Sequence, residues 1–183
     1  MIDVKPLALK DVLLITPKRF GDHRGFFSET YNKRVFAEAG IRLDFVQDNH
    51  SMSAETGTVR GLHFQTEPKA QDKLVRVVRG SILDVAVDIR RSSPTFGKWV
   101  SARITASGGE QILVPKGFAH GICTLEPNTE VLYKVTEYYS AEHDSCIRWD
   151  DPAIGIVWPL NGTPILSEKD TKSPLLSDST CMP

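Results

Sequence analysis

Two histidine-bearing runs hold the residues best suited to chemistry. One is Gly57-Thr58-Val59-Arg60-Gly61-Leu62-His63-Phe64 and the other is Val114-Pro115-Lys116-Gly117-Phe118-Ala119-His120-Gly121. In each, a histidine is bracketed by glycine and apolar residues. Imidazole moves protons near neutral pH without further tuning. Two histidines far apart in sequence but in similar settings imply one site lined from two directions. Their types alone leave metal binding, proton transfer and plain core hydrogen bonding open.

The elements that must position them are mostly strands. Short segments rich in Val, Ile, Leu and Phe alternate with Gly, Pro, Asn and Ser, the pattern of a sandwich or barrel. The clearest spans 73–89 and breaks at Gly80. Its second half puts Leu83, Val85 and Val87 on one face and Ile82, Asp84, Ala86 and Asp88 on the other. If the second face lines the interior, Asp84 needs a partner; on an edge strand it is solvated. Further strands are expected over 12–16, 99–104, 111–114, 121–125 and 130–139. A helix is expected over 31–39, capped by Thr30 and stopped by Gly40. A shorter one starts at Ser167, runs through Glu168, Lys169 and Asp170, and ends before Pro174. The tail after 173 reads as peripheral and poorly tied down.

With 183 residues, 40% hydrophobic and 25% charged, the chain suits one domain over 1–183. A formal net charge of −1 gives no global field for nucleic acid or an anionic membrane, so an anionic ligand must be caught by local arginines and lysines. No apolar stretch is long enough to span a bilayer, and Met1-Ile2-Asp3-Val4-Lys5 lacks a signal pattern, which points to the cytoplasm. Cys123, Cys146 and Cys181 are odd in number and match no zinc spacing, so they read as free thiols.

The run from Gly109 through Pro115 and Gly117 to His120 resembles the second motif of cupins, which are double-stranded β-helix jelly rolls. The resemblance implies an all-β cupin barrel with short flanking helices. The first cupin motif carries two histidines and a glutamate as metal ligands. Here His63 begins it, but Gln65 stands where the second histidine belongs and Lys73 where the glutamate belongs. A lysine ammonium is a poor ligand for a hard divalent ion. The resemblance is therefore to a metal cupin whose ion site has been dismantled.

Longer stretches carry a narrower resemblance. Phe20-Gly21-Asp22-His23-Arg24-Gly25-Phe26-Phe27, Gln47-Asp48-Asn49-His50, Arg60-Gly61-Leu62-His63-Phe64-Gln65, Gln71-Asp72-Lys73-Leu74-Val75-Arg76, Ser93-Pro94-Thr95-Phe96-Gly97 and Trp149-Asp150-Asp151-Pro152 resemble the dTDP-4-dehydrorhamnose 3,5-epimerase family in order and across most of the chain. That likeness implies epimerisation at C3 and C5 of dTDP-4-dehydro-6-deoxy-D-glucose, through enolates stabilised by the C4 ketone, with no cofactor and no metal. It implies His63 as base, Asp170 as its orienting partner, Tyr133 as acid and Lys73 as the cation at the C4 oxygen. It further implies substrate contacts from Arg24, Phe27, Glu29, Gln47, Asp48, Asn49, Arg60, His120, Tyr139, Asp144 and Lys169. A homodimer sharing its active sites is implied too, because the family's N-terminal segment crosses to a neighbour. Two alternatives stay open: a single-site epimerase or ketoisomerase on a related dTDP-4-keto sugar, and a metal-dependent cupin using His63, His120 and Glu67 or Asp84.

Overall fold

The computed structural model describes residues 1–179. The chain runs through β1 (Ile2–Pro6), β2 (Leu13–Pro17), β3 (Arg19–Asp22), β4 (Gly25–Ser28) and α1 (Lys33–Glu38). Next come β5 (Gln47–Ser53), β6 (Val59–Gln65), β7 (Lys73–Arg79), β8 (Ser81–Asp88) and β9 (Trp99–Thr105). It closes with β10 (Gln111–Val114), β11 (Phe118–Thr124), β12 (Thr129–Val135), β13 (Asp144–Cys146) and α2 (Glu168–Thr171). A six-stranded sheet in the order β1-β2-β10-β7-β12-β5 faces a five-stranded sheet in the order β13-β6-β11-β8-β9. The β3-β4 hairpin stands apart from both. This is the all-β jelly-roll architecture the sequence implies, built as two apposed sheets rather than a closed barrel.

The core forms where alternate residues of both sheets meet. Val75, Val77, Ile112, Val114 and Val131 pack against Ile82, Ala86, Ile104, Phe118 and Ile122. The face of β8 that carries Asp84 is therefore interior, and Asp84 is fully buried. The opposite face is covered as well. Val85 and Val87 pack against Leu62, Phe64, Ile147, Ile154 and Leu176.

That covering corrects the expectation of a loose tail. Leu176 is buried against the outside of the five-stranded sheet, and its N–H donates to Asp151 Oδ2 at 2.6 Å. The Arg148 N–H donates to the Pro174 carbonyl at 2.8 Å. An apolar face left open by the sheet captures the segment, which is held through 179. Cys123 and Cys146 are free thiols, as expected, while Cys181 lies outside the described residues. Among the described residues no helix is long and apolar enough to cross a membrane.

Helix α1 starts later than its sequence suggests. Asn32, not Thr30, is the N-cap and accepts from the Arg34 and Val35 N–H groups. The Thr30 carbonyl instead accepts from Gln111 Nε2 at 2.6 Å. Helix α2 was expected to start at Ser167; Ser167 is its N-cap and the helix begins at Glu168. The strand expected over 121–125 begins at Phe118, and the one over 130–139 ends at Val135. The sequence reading missed β1, β3, β4, β5, β6 and β13. Strand β5 reads Gln-Asp-Asn-His-Ser-Met-Ser, with no apolar alternation to betray it.

Candidate active site

Antiparallel pairing of β6 with β11 sets His63 directly opposite His120, so the two motifs meet across neighbouring strands. The glycines beside the histidines make this approach possible. Gly61 has φ +139°, and a Cβ there would lie 2.6 Å from Gly121 Cα and 2.9 Å from the His120 carbonyl oxygen. Only a residue without a side chain lets the strands come so close.

Between the sheets lies a cavity of about 490 Å³. One wall presents His63, His120 and Arg60 from the five-stranded sheet; Lys73 and Tyr133 come from the six-stranded sheet opposite. Asp170 closes it from α2. A second lobe of about 270 Å³ shares His63, Lys73 and Tyr133 and extends past Gln47, Asn49, Tyr139, Asp144 and Lys169.

His63 Nε2 lies 2.5 Å from Asp170 Oδ1. With Asp170 ionised, Nε2 carries the proton and donates it, which leaves Nδ1 as the free base of the ring. Asp170 is buried, which by itself pushes its carboxyl upward; the hydrogen bond and charge of His63, with donors from Ser167 and the Gly61 backbone, outweigh burial and hold it below the usual range. A second pair runs parallel to the first. His120 Nε2 lies 2.9 and 2.8 Å from the two oxygens of Asp84.

Lys73 Nζ donates to the His63 carbonyl at 3.2 Å, spanning the gap between the sheets. Burial pushes its ammonium down to about 8, against the pull of Asp144 and Asp84 and with the repulsion of Lys169. Burial also raises the Tyr133 phenol above its ordinary 10.0, partly offset by Arg60 and reinforced by Asp144. A phenol so placed keeps its proton at neutral pH. Arg60 is oriented by Ser53 Oγ at 3.1 Å and the Met52 carbonyl at 3.0 Å. Lys169 Nζ donates to Asp144 Oδ2 at 2.5 Å, and the Tyr139 hydroxyl donates to the same oxygen at 3.2 Å.

The structure brings together His63, Lys73, Tyr133, Asp170, Arg60, His120, Gln47, Asn49, Tyr139, Asp144 and Lys169. Four residues of the sequence set lie elsewhere. Asp48 points to the other side of β5 and pairs with Lys134 at 2.8 Å on the outer face. Three consecutive strand residues cannot all face one cavity. Arg24 pairs with Asp22 at 2.6 Å on the exposed β3-β4 turn, and Phe27 and Glu29 are likewise exposed. These three do not reach the cavity of their own chain.

Sequence reasoning missed several lining residues: Ser51, Thr58, Ile165, Leu166 and Ser167. Ile165 arrives by a parallel bridge to Thr58, closed by Val59 N–H to the Ile165 carbonyl at 2.9 Å. Only Ser167 carried a signal, as the start of a short helix.

The two departures from the metal-cupin pattern have other partners. Gln65 is buried, donates to the Lys69 and Tyr138 carbonyls at 2.6 and 3.2 Å, and accepts from the Ser140 N–H at 2.8 Å. It staples the loops around the mouth. Lys73 bonds the His63 backbone. Among the described residues no group of three or more His, Cys, Asp or Glu side chains is placed to hold an ion.

Fold and site together define a cupin-type jelly roll whose cavity carries two His–Asp pairs facing a buried lysine and a tyrosine. The family model described as dTDP-4-dehydrorhamnose 3,5-epimerase matches residues 6–178. A dTDP-4-dehydrorhamnose 3,5-epimerase of Sinorhizobium fredii is 55% identical over 94% of this chain and 88% of its own. The crystal structure of the Bacillus anthracis enzyme with TDP and PPi bound is 54% identical, with a TM-score of 0.93 over 96% of this chain and 99% of its own. The Legionella pneumophila epimerase, in complex with dTDP-4-keto-L-rhamnose, is 41% identical, with a TM-score of 0.95 over 100% and 98%. This chain belongs to the dTDP-4-dehydrorhamnose 3,5-epimerase family.

Proposed function

We propose that this protein inverts C3 and C5 of dTDP-4-dehydro-6-deoxy-D-glucose to give dTDP-4-dehydro-L-rhamnose. The observation that carries the reading is the His63–Asp170 pair on one sheet's side of the cavity, with Tyr133 and Lys73 on the facing sheet. A pyranose between them has a base on one face and an acid on the other.

His63 Nδ1 removes the proton alpha to the C4 ketone, and the electron pair moves onto the C4 oxygen. The Lys73 ammonium stabilises that oxyanion. Tyr133 returns a proton from the opposite face, which inverts the carbon, and solvent restores the phenol. Repeating the sequence at the other alpha carbon completes the product. Arg60 and Lys169 supply positive charge for the diphosphate, with guanidinium geometry suited to its oxygens.

Arg24, Phe27 and Glu29 fit this reading through a neighbour. They lie on or beside the β3-β4 hairpin, where Phe20, Phe26 and Phe27 are all exposed. In a homodimer that hairpin enters the partner's cavity, adding an arginine for phosphate and an aromatic ring for the thymine.

Incubating the 4-keto sugar in deuterated water tests the reaction. Label at both C3 and C5 is expected, and label at one carbon only replaces the reading with single-site epimerisation. For His63→Ala, exchange at both carbons is lost while dTDP binding by calorimetry is retained; persistent exchange would remove His63 as base. In Tyr133→Phe, exchange persists at one or both carbons while the yield of inverted product falls. An unchanged yield rejects Tyr133 as acid.

A further inference from the structure

We infer that Ser167 is a positioning residue of the proton-transfer site: its hydroxyl holds the second oxygen of Asp170 and thereby sets how strongly His63 attracts a proton. The inference deepens the proposed reaction and rests on His63 being its base.

One atom of Ser167 does two things. Its Oγ–H donates to Asp170 Oδ2 at 2.8 Å, and the same oxygen accepts from the Asp170 backbone N–H at 3.1 Å as the N-cap of α2. The Asp170 carboxylate is 2% exposed, so bulk water contributes little to its solvation. Its other oxygen is taken by His63 at 2.5 Å. The Gly61 backbone supplies one further donor. A buried carboxylate with three protein donors depends heavily on each, because the loss of one leaves negative charge uncompensated in a poorly solvated site.

The sign follows from charge. Every donor to Oδ2 draws electron density away from Oδ1 and weakens its pull on the imidazole proton. Removing the Ser167 hydroxyl concentrates the charge on Asp170, stabilises the imidazolium form of His63 and raises the pH at which His63 becomes a free base. The cap holds the carboxylate while the carboxylate holds the ring, so the start of the helix and the basicity of the ring are coupled through one hydroxyl.

The other groups around His63 are independent of Ser167. Lys73 comes from β7 and Tyr133 from β12. His120 and Asp84 face it across β11 and β8, Arg60 lies on its own strand, and Asp144 and Cys146 come from β13. Lys169 follows on α2 and is paired with Asp144. Among the described residues none of these bonds to Ser167, so a substitution there reaches His63 through Asp170.

The test is an NMR titration of the His63 Cε1–H resonance, assigned by its disappearance in His63→Ala. It needs no substrate and separates this inference from the reaction. In Ser167→Ala the midpoint moves upward by on the order of one pH unit. In Ser167→Asp, which keeps a cap acceptor but cannot donate and adds negative charge, it moves upward further. In Ser167→Thr, which keeps both functions, it stays at the unsubstituted value. The acid limb of kcat/KM shifts in the same direction, with KM little changed. A midpoint in Ser167→Ala equal to that of the unsubstituted protein would overturn the assignment and leave Ser167 a helix cap only. Lack of exchange at C3 and C5 in the unsubstituted protein would instead overturn the proposed reaction.

Discussion

Lys73 has the most informative side chain in the cavity, because its proposed role at an oxyanion needs it charged and yet it is buried enough to lose its proton early. Its ammonium titrates at about 8 rather than 10.5. The kcat/KM of the free enzyme is therefore expected to fall as pH rises through about 8, and Lys73→Arg should move that limb upward because guanidinium stays charged. Removing the charge altogether, as Lys73→Met, should cost roughly 10²–10³ in kcat, the scale of a lost oxyanion donor. Stability responds with the opposite sign. Between about 8 and 10.5 the unfolded lysine holds a proton the folded one has lost, so urea midpoints of the free protein should rise with pH across that window. Asp170 acts at the acid end. Its folded carboxyl titrates below its ordinary value, so its contribution is present at neutral pH and is lost as pH falls. His63 and Lys73 were legible because each sits in a multi-residue motif of a recognisable family, while Tyr133 and Asp170 came only with the resemblance as a whole. Asp48 shows where motif matching overreached: it adjoins Gln47 and Asn49 in the sequence but lies on the other side of the sheet. Ser51 and Thr58 carried no mark, since a small hydroxyl residue beside a strand has many ordinary fates.

At the scale of the element, the site depends on how closely β6 and β11 pair. Gly61 is the point of contact. Gly61→Ala combines an unfavourable φ with a Cβ that meets the Gly121 backbone, a clash no side-chain rotation relieves. A loss of more than about 2 kcal/mol of stability is expected, read as a lowered melting temperature, with His63 displaced from His120. A smaller loss would mean the strands can separate without harm. Strand β8 was readable because its two faces alternate in kind, and the Gly80 break was readable because glycine there has φ +76° against Thr129. Strand β5 was not, because its inward residues Gln47, Asn49, Ser51 and Ser53 are all polar and its outward face carries only Met52 as an apolar residue. The start of α1 was misplaced by two residues that compete as caps, and the contest went to Asn32 because Thr30 is engaged by Gln111.

For the whole molecule, the proposed sharing of sites predicts complementation. Arg24→Ala and His63→Ala should each be nearly inactive alone. Co-refolded in equal amounts, half the dimers pair an intact His63 cavity with an intact Arg24 hairpin, so about a quarter of full activity should return. No recovery, with a dimer visible by sedimentation, would place Arg24 outside the neighbour's cavity. Such an arrangement lay beyond any reading of spacing, since the residues concerned have no role within their own chain's cavity.

The route taken by residues 147–176 has a consequence of its own. Asp170 is delivered to the cavity by a segment that leaves β13, crosses the back of the five-stranded sheet and is fastened at Leu176. Between those anchors, Asn161, Gly162 and Thr163 lie exposed. Severing the chain there would leave the sandwich of valines and isoleucines whole, and the carboxylate would then be held at its imidazole only by non-covalent anchors, the Ile165–Thr58 bridge and the seat of Leu176. The carboxylate's seat is thus the easier part to loosen: a sample cleaved there should keep its strands while its turnover falls.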